Sequence, residues 1–212
     1  MENIKLIIFD LDGTLVDAYS AIHASFNYVM RKLALKPQNL TTVRSLVGWG
    51  DINLLNPYVR SEDLKYAISL YRKDHQHSLL KYSHLYPFVR TLLRRLKEQG
   101  YKLAVASNRP SKFSALLLKH LNIGIYFDYI LCADQAKYGK PHPEMLNRIV
   151  KQLKVRKSQA LYVGDMVIDA QAGKRAKINT VIVTSGSSSK YAIGKEKPFR
   201  IISAIRSLPE LL

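Results

Sequence analysis

Short apolar runs alternate along this chain with stretches whose apolar residues recur every three or four positions, the pattern of strands alternating with helices. The first run, Lys5 to Asp10 (KLIIFD), is continuously apolar, as expected of a parallel strand buried on both faces. Tyr101 to Ser107, Tyr129 to Ala133, Ala160 to Gly164 and Thr180 to Thr184 are of the same kind, with a weaker run at Phe199 to Ile202. In the clearest helical stretch Val89, Leu92, Leu93 and Leu96 share one face, Lys and Arg take the other, and Gly100 supplies the stop. Pro110 to Leu121 and Pro143 to Leu153 read similarly. This alternation from about residue 85 onward predicts a doubly wound, Rossmann-like α/β fold with a parallel sheet covered on both faces.

About ninety residues separate the first two runs, where a crossover needs only about a dozen. Residues 20 to 35, 40 to 56 and 61 to 82 carry helical rather than alternating patterns, for example Leu64, Ala67, Ile68 and Tyr71. The expected organisation is an α/β core at residues 1–16 and 86–212 and a small helical cap at 17–85, hinged near Asp17 to Ser20 and Tyr82 to Pro87. No internal repeat or low-complexity tract is evident, and Ser185 to Ser189 (SGSSS) reads as a flexible loop.

In open α/β sheets ligands bind beyond the carboxyl ends of the strands, so polar residues that close apolar runs are the candidates for chemistry. The first run ends in Asp10-Leu11-Asp12-Gly13-Thr14 and the second in Ser107-Asn108-Arg109; the third leads to Lys140, and the fourth ends in Gly164-Asp165 with Asp169 following. Carboxylates crowded at one point resist ionisation unless a cation neutralises them, and a hard divalent ion such as magnesium prefers oxygen ligands. Asp10 and Asp165 are the expected carboxylate ligands, Asp12 contributes its main-chain carbonyl, and Asp169 supports them. Asp10 also suits the role of phosphoryl acceptor, with Asp12 as acid to the leaving group and base to the attacking water. Lys140, the Ser107 hydroxyl and the amides near Asn108 are the expected phosphate-binding groups.

Charge modifies this picture only at the margin. The 212 residues carry 33 Lys and Arg against 16 Asp and Glu, a formal net charge of +17, but the cations are spread along the chain and accompany no nucleic-acid-binding motif. The single cysteine, Cys132, lies in an apolar run and reads as a core residue in a reducing compartment. No apolar stretch approaches the ~20 residues of a membrane span, and the opening residues lack a signal-peptide pattern, so a cytoplasmic protein is expected, as monomer or homodimer.

These residues in this order resemble the haloacid dehalogenase superfamily, over the entire chain. The wording Leu85-Tyr86-Pro87, Ser107-Asn108-Arg109-Pro110, Gly139-Lys140-Pro141-His142-Pro143 and Val47-Gly48-Trp49-Gly50 is similar to its phosphoglycolate phosphatase-like members. The resemblance implies a Mg2+-dependent phosphatase acting on a small-molecule phosphate ester through an aspartyl phosphate, with a helical cap inserted between the first two motifs. Asp12 favours phosphate chemistry over dehalogenation. Phe88 and Lys177 stand where relatives commonly have Gly, Arg109 where Lys is common, and the usual Trp-Gly pair after Thr184 is missing; these departures are expected to bear on substrate identity. Asp17 reads as a helix cap, Trp49 as a lid over the substrate or an aromatic anchor, and His75, His77 and His84 as surface or packing residues. The alternatives are a phosphomutase of the same fold and a non-catalytic basic binding protein.

Overall fold

The computed structural model describes residues 3–212; Met1 and Glu2, which open the segment assigned to the core, lie outside the described residues. In chain order, β1 (Leu6–Phe9) and β2 (Val16–Asp17) precede four helices, α1 (Tyr19–Lys32), α2 (Leu40–Ser45), α3 (Asp51–Leu55) and α4 (Leu64–Tyr82). There follow β3 (His84–Leu85), α5 (Val89–Glu98), β4 (Lys102–Ser107), α6 (Ser111–His120), β5 (Tyr129–Cys132) and α7 (Glu144–Gln152). The chain closes with β6 (Ala160–Gly164), α8 (Val167–Ala176), β7 (Asn179–Val183), α9 (Lys190–Lys195) and β8 (Arg200–Ile202), among short 3₁₀ turns.

The main sheet runs in the order β5-β4-β1-β6-β7-β8, every neighbouring pair parallel. It is a doubly wound α/β sheet: the chain builds outward from β1 through β4 to β5, then returns to β6 on the other side. Alternate side chains of the apolar runs enter two separate layers, as a pleated strand requires. Ile7, Phe9, Leu103, Val105, Leu161 and Val163 pack with Leu92, Leu93, Phe113 and Leu117 of α5 and α6. Leu6, Ile8, Ala104, Ala106 and Tyr162 pack with Met145, Leu146, Ile149 and Ala172 of α7 and α8 on the opposite face. Cys132 is fully buried, and burial raises its thiol pKa.

The inserted segment is helical. Helices α1 and α4 pack along each other, and Phe26, Val29, Met30, Tyr71 and Leu79 join the apolar cluster on the α5–α6 face of the sheet. The stretch 40–56 differs from the continuous pattern read in the sequence: it forms two short helices parted by Gly48 (φ 114°) and Gly50 (φ 86°), whose backbone angles a right-handed helix cannot contain. Its two ends meet in a two-stranded antiparallel ribbon, Val16 opposite Leu85 and Asp17 opposite His84, too short to leave a periodic signal. The Asp17 carboxylate accepts from the Tyr19 amide at the start of α1 (3.2 Å). Among the described residues no helix is long and apolar enough to cross a membrane.

The supposed flexible loop at 185–189 is tied down. Ser185 Oγ donates to the Gly13 carbonyl (2.6 Å), the carbonyls of Ser185 and Gly186 accept from Arg44 (2.7 and 3.0 Å), Ser188 Oγ accepts from the Val167 amide, and Ser189 caps α9. Serine and glycine therefore serve here as hydrogen-bonding turn residues.

Helix ends account for two of the sequence departures. After α5 the chain turns on Gly100 (φ 85°), with Gly100 N–H to Lys97 C=O and Tyr101 N–H to Leu96 C=O, the paired bonds of a Schellman cap. The same pair closes α8, Lys177 to Lys174 and Ile178 to Gly173, but the left-handed position holds Lys177 (φ 58°). Phe88 likewise sits at φ 69° ahead of α5. Glycine is preferred at both positions for backbone reasons, because it alone adopts a positive φ without steric cost. Lys177→Gly is expected to stabilise the fold by about 0.5–1 kcal/mol, a rise of roughly 2 °C in the calorimetric midpoint; a midpoint that falls would show that the Lys177 side chain carries stabilising contacts of its own.

Candidate active site

Strands β4, β1 and β6 lie side by side at the switch point, so their carboxyl ends bring Ser107, Asp10 and Asp165 together. Asp10 leaves β1 with its amide bonded to the Val163 carbonyl (2.9 Å), and the chain then coils tightly, the amides of Thr14, Leu15 and Val16 all turning to the Leu11 carbonyl. That turn aims Thr14 Oγ1 at Asp165 Oδ1 (2.9 Å).

Lys140 enters from the segment after β5 and is almost wholly buried. Its Nζ lies 2.8 Å from Asp10 Oδ1 and 2.8 Å from Asp169 Oδ1. Burial by itself would lower the lysine pKa, but these two carboxylates outweigh it and raise the value. Asp169 is saturated: Oδ1 also accepts from Tyr162 Oη (2.6 Å), while Oδ2 accepts the amides of Asp165 (3.1 Å) and Met166 (3.0 Å) at the start of α8. It is thus a helix-capping carboxylate that also holds the lysine.

Asp165 is the contrasting case. Wholly buried, it has one oxygen on Thr14, and Oδ2 has no partner among the described residues. A methyl group at Gly13 or Gly186 would collide with that carboxylate, so the glycines let the backbone close around it. Burial first, then the neighbouring Asp169 and Asp10, raise the Asp165 pKa well above the carboxylate range. Burial likewise pushes Asp10 up to about 7, against the opposing pull of Lys140. Two buried carboxylates held at a disadvantage, one with an orphaned oxygen, fit a cation. Asp10, Asp165 and Asp169 can each bring an oxygen within 4.8 Å of the others, a group that could hold a metal ion.

The remaining candidates line the same pocket, between the strand ends and the insertion. Asn108 Nδ2 donates to the carbonyls of Gly48 and Lys140 (both 2.9 Å), and its Oδ1 accepts the Lys140 amide (2.8 Å), so its side chain braces two loops. Ser107 Oγ accepts the Arg109 amide (3.2 Å). Asp12 is gripped by Arg109, Nε to Oδ2 at 2.9 Å and Nη2 to Oδ1 at 2.6 Å. The third arm of that guanidinium, Nη1, donates to His75 Nε2 (2.7 Å). Ser25 Oγ donates to the Ala21 carbonyl and so accepts from His75 Nδ1 (3.0 Å), which fixes the neutral tautomer with its acceptor toward Arg109. Burial, then Arg109, lowers the His75 pKa well below its ordinary value. Trp49 is exposed on an outer cleft and lines no part of this pocket.

Motif reading singles out Arg109 only as a departure and His75 only as a surface or packing residue; their pairing at the site is not read from it. Arg109 follows Ser107-Asn108 directly, and His75 continues the four-residue stripe Ala67, Tyr71, Leu79 that α4 buries. His77 and His84 are exposed.

A parallel sheet whose buried carboxylates surround one lysine, roofed by inserted helices, defines a class of hydrolase. The family model for haloacid dehalogenase-like hydrolases matches residues 7–183, and the chain belongs to that family. It is 36% identical over 191 residues to a phosphoglycolate phosphatase of Rhodobacter capsulatus, covering 85% of this chain and 84% of that protein. With a phosphoglycolate phosphatase of Pseudomonas fluorescens it shares 32% identity over 213 residues, 96% of this chain and 78% of the relative. The crystal structure of a predicted phosphoglycolate phosphatase from Haemophilus somnus 129PT superposes with a TM-score of 0.93 at 28% identity, covering 100% and 99% of the two chains. The protein is an enzyme of this family, a hydrolase acting on phosphoric monoesters.

The buried imidazole has a consequence for stability. Below about pH 6.5, the ordinary histidine value, the unfolded chain binds a proton on His75 that the folded protein refuses, so stability falls as pH drops. Relative to His75→Gln, wild type is expected to lose up to about 1.4 kcal/mol more per pH unit in this window, read from urea titrations. Parallel curves would show that the folded ring accepts the proton.

Proposed function

We propose that this enzyme is a magnesium-dependent, cytoplasmic phosphatase that transfers the phosphoryl group of a small, phosphoglycolate-like ester to Asp10 and then to water. The observation that carries the reading is the buried set in which Asp10 shares Lys140 with Asp169 while Asp165 keeps a free oxygen beside them. Asp10, Asp165 and the Asp12 main-chain carbonyl would hold the ion, with Asp169 fixing the lysine and the α8 terminus. When bound, magnesium neutralises the carboxylates and polarises the phosphate oxygens.

Asp10 attacks phosphorus through a carboxylate oxygen; the phosphorus–oxygen bond to the leaving alcohol breaks, and an acyl phosphate forms. Lys140, the Ser107 hydroxyl and the amides near Asn108 receive the equatorial oxygens, the place where fixed donors stabilise a loose phosphoryl-transfer transition state. Asp12, in the same pocket, delivers a proton to the leaving alcohol and removes one from the water that attacks the acyl phosphate. Both Asp12 oxygens accept from Arg109, so one must be released for that transfer. The helical cap closes the pocket to solvent during transfer and opens for product release.

Phosphate release from 2-phosphoglycolate, sugar phosphates and nucleotides, with magnesium or EDTA, tests this reading. Asp10→Asn is expected to lower kcat by at least about 10³-fold and Asp12→Asn by about 10²- to 10⁴-fold, and chelation is expected to abolish turnover of the wild type. Turnover that survives both Asp10→Asn and EDTA would overturn it.

A further inference from the structure

Arg109 is nearly buried and makes three contacts, two to Asp12 and one to His75. A guanidinium has five N–H donors. The two left over, one on each terminal nitrogen, meet no acceptor among the described residues. An unsatisfied donor on a buried cation is costly, and such groups in native proteins commonly await a ligand or ordered water. Arg109 itself lines the pocket that also holds Asp10, Ser107 and Lys140. Lys140, the other cation lining this pocket, is committed to Asp10 and Asp169. Ile22, Val47, Leu54 and Phe113 form apolar walls.

We propose that Arg109, held by His75, is the subsite for a second anionic group on the substrate, a carboxylate or a further phosphate joined by a short link to the transferred phosphoryl group. The proposal rests on the phosphatase reading and names the part of the site that selects the ester. His75 acts as a positioning residue: its ring accepts from Nη1 without bringing negative charge, it stacks on Tyr71 (4.7 Å between centroids), and it meets the Phe113 edge (5.2 Å). A carboxylate in its place would add a second negative charge to that of Asp12, already paired with Arg109, and repel an anionic substrate. Because His75 belongs to α4 and Arg109 follows β4, the subsite is complete only when the insertion is docked on the sheet.

The experiment compares kcat/KM for 2-phosphoglycolate and 2-hydroxyethyl phosphate, which differ by a carboxylate against a hydroxymethyl group, in wild type, Arg109→Gln, Arg109→Lys and His75→Gln. Wild type is expected to favour the acid by roughly 10- to 100-fold, the size of hydrogen bonds to a charged group. Arg109→Gln should bring the ratio near one and Arg109→Lys restore part of it, while His75→Gln, which keeps an acceptor, should raise KM for the acid more than it lowers kcat. Equal losses on both esters, with the ratio intact, would confine Arg109 to Asp12 and overturn the proposal. Wild type alone gives a second test that needs no variant to fold: in thermal shifts with magnesium, phosphonoacetate should protect at concentrations at least about tenfold below ethylphosphonate. Equal protection overturns the anionic subsite while leaving the phosphatase reading standing, whereas absence of magnesium-dependent turnover on either ester defeats that reading itself.

Discussion

Lys140 stands between two buried carboxylates, 2.8 Å from each, and the architecture around it follows from the need to keep that ammonium there. Removing one partner of a buried ion pair leaves a charge stranded in a poor dielectric, typically at about 3–5 kcal/mol. Two members of the group are accordingly fixed: Asp169 by two amides and the Tyr162 hydroxyl, and the Lys140 main chain by Asn108. The sheet supplies the rigidity, because β1 and β6 are hydrogen-bonded neighbours that place Asp10 and Asp165 at adjacent strand ends. One lysine nonetheless leaves the group short of positive charge, and the unpartnered oxygen of Asp165 marks where the deficit falls.

The insertion shares in the site as well as covering it. Arg44 reaches from α2 to the carbonyls of Ser185 and Gly186, Asn108 holds the Gly48 carbonyl, and Arg109 meets His75. These polar ties join the insertion to the strand-end loops, so the site is complete only with the helices docked. They add to the apolar packing by which Phe26, Val29, Met30, Tyr71 and Leu79 of the insertion join the cluster on the α5–α6 face of the sheet.

Arg109 concentrates the consequences. It binds both oxygens of Asp12, so a change at this position would reach the proposed acid–base group as well as the proposed anion subsite. Lys177 and Phe88 stand apart from it, being substitutions at left-handed backbone positions whose effect is on the stability of helix ends.

The sequence by itself determined the sheet, most of the helices and the acidic set. A buried parallel strand must be continuously apolar, and the first polar residue after it necessarily lies at the edge where ligands bind; Asp10, Ser107 and Asp165 were legible for that reason. The two-residue ribbon of β2 and β3, the break at Gly48 and Gly50 and the tethering of residues 185–189 were not, because each depends on contacts with distant segments rather than on a local period. Nor was the clasp on Asp12: Arg109 lies 97 residues from Asp12 and 34 from His75 along the chain, and only docking of the helices onto the strand ends brings the three together. Periodicity reports which face of an element is buried; which side chains meet across that burial is decided by the packing of one element on another.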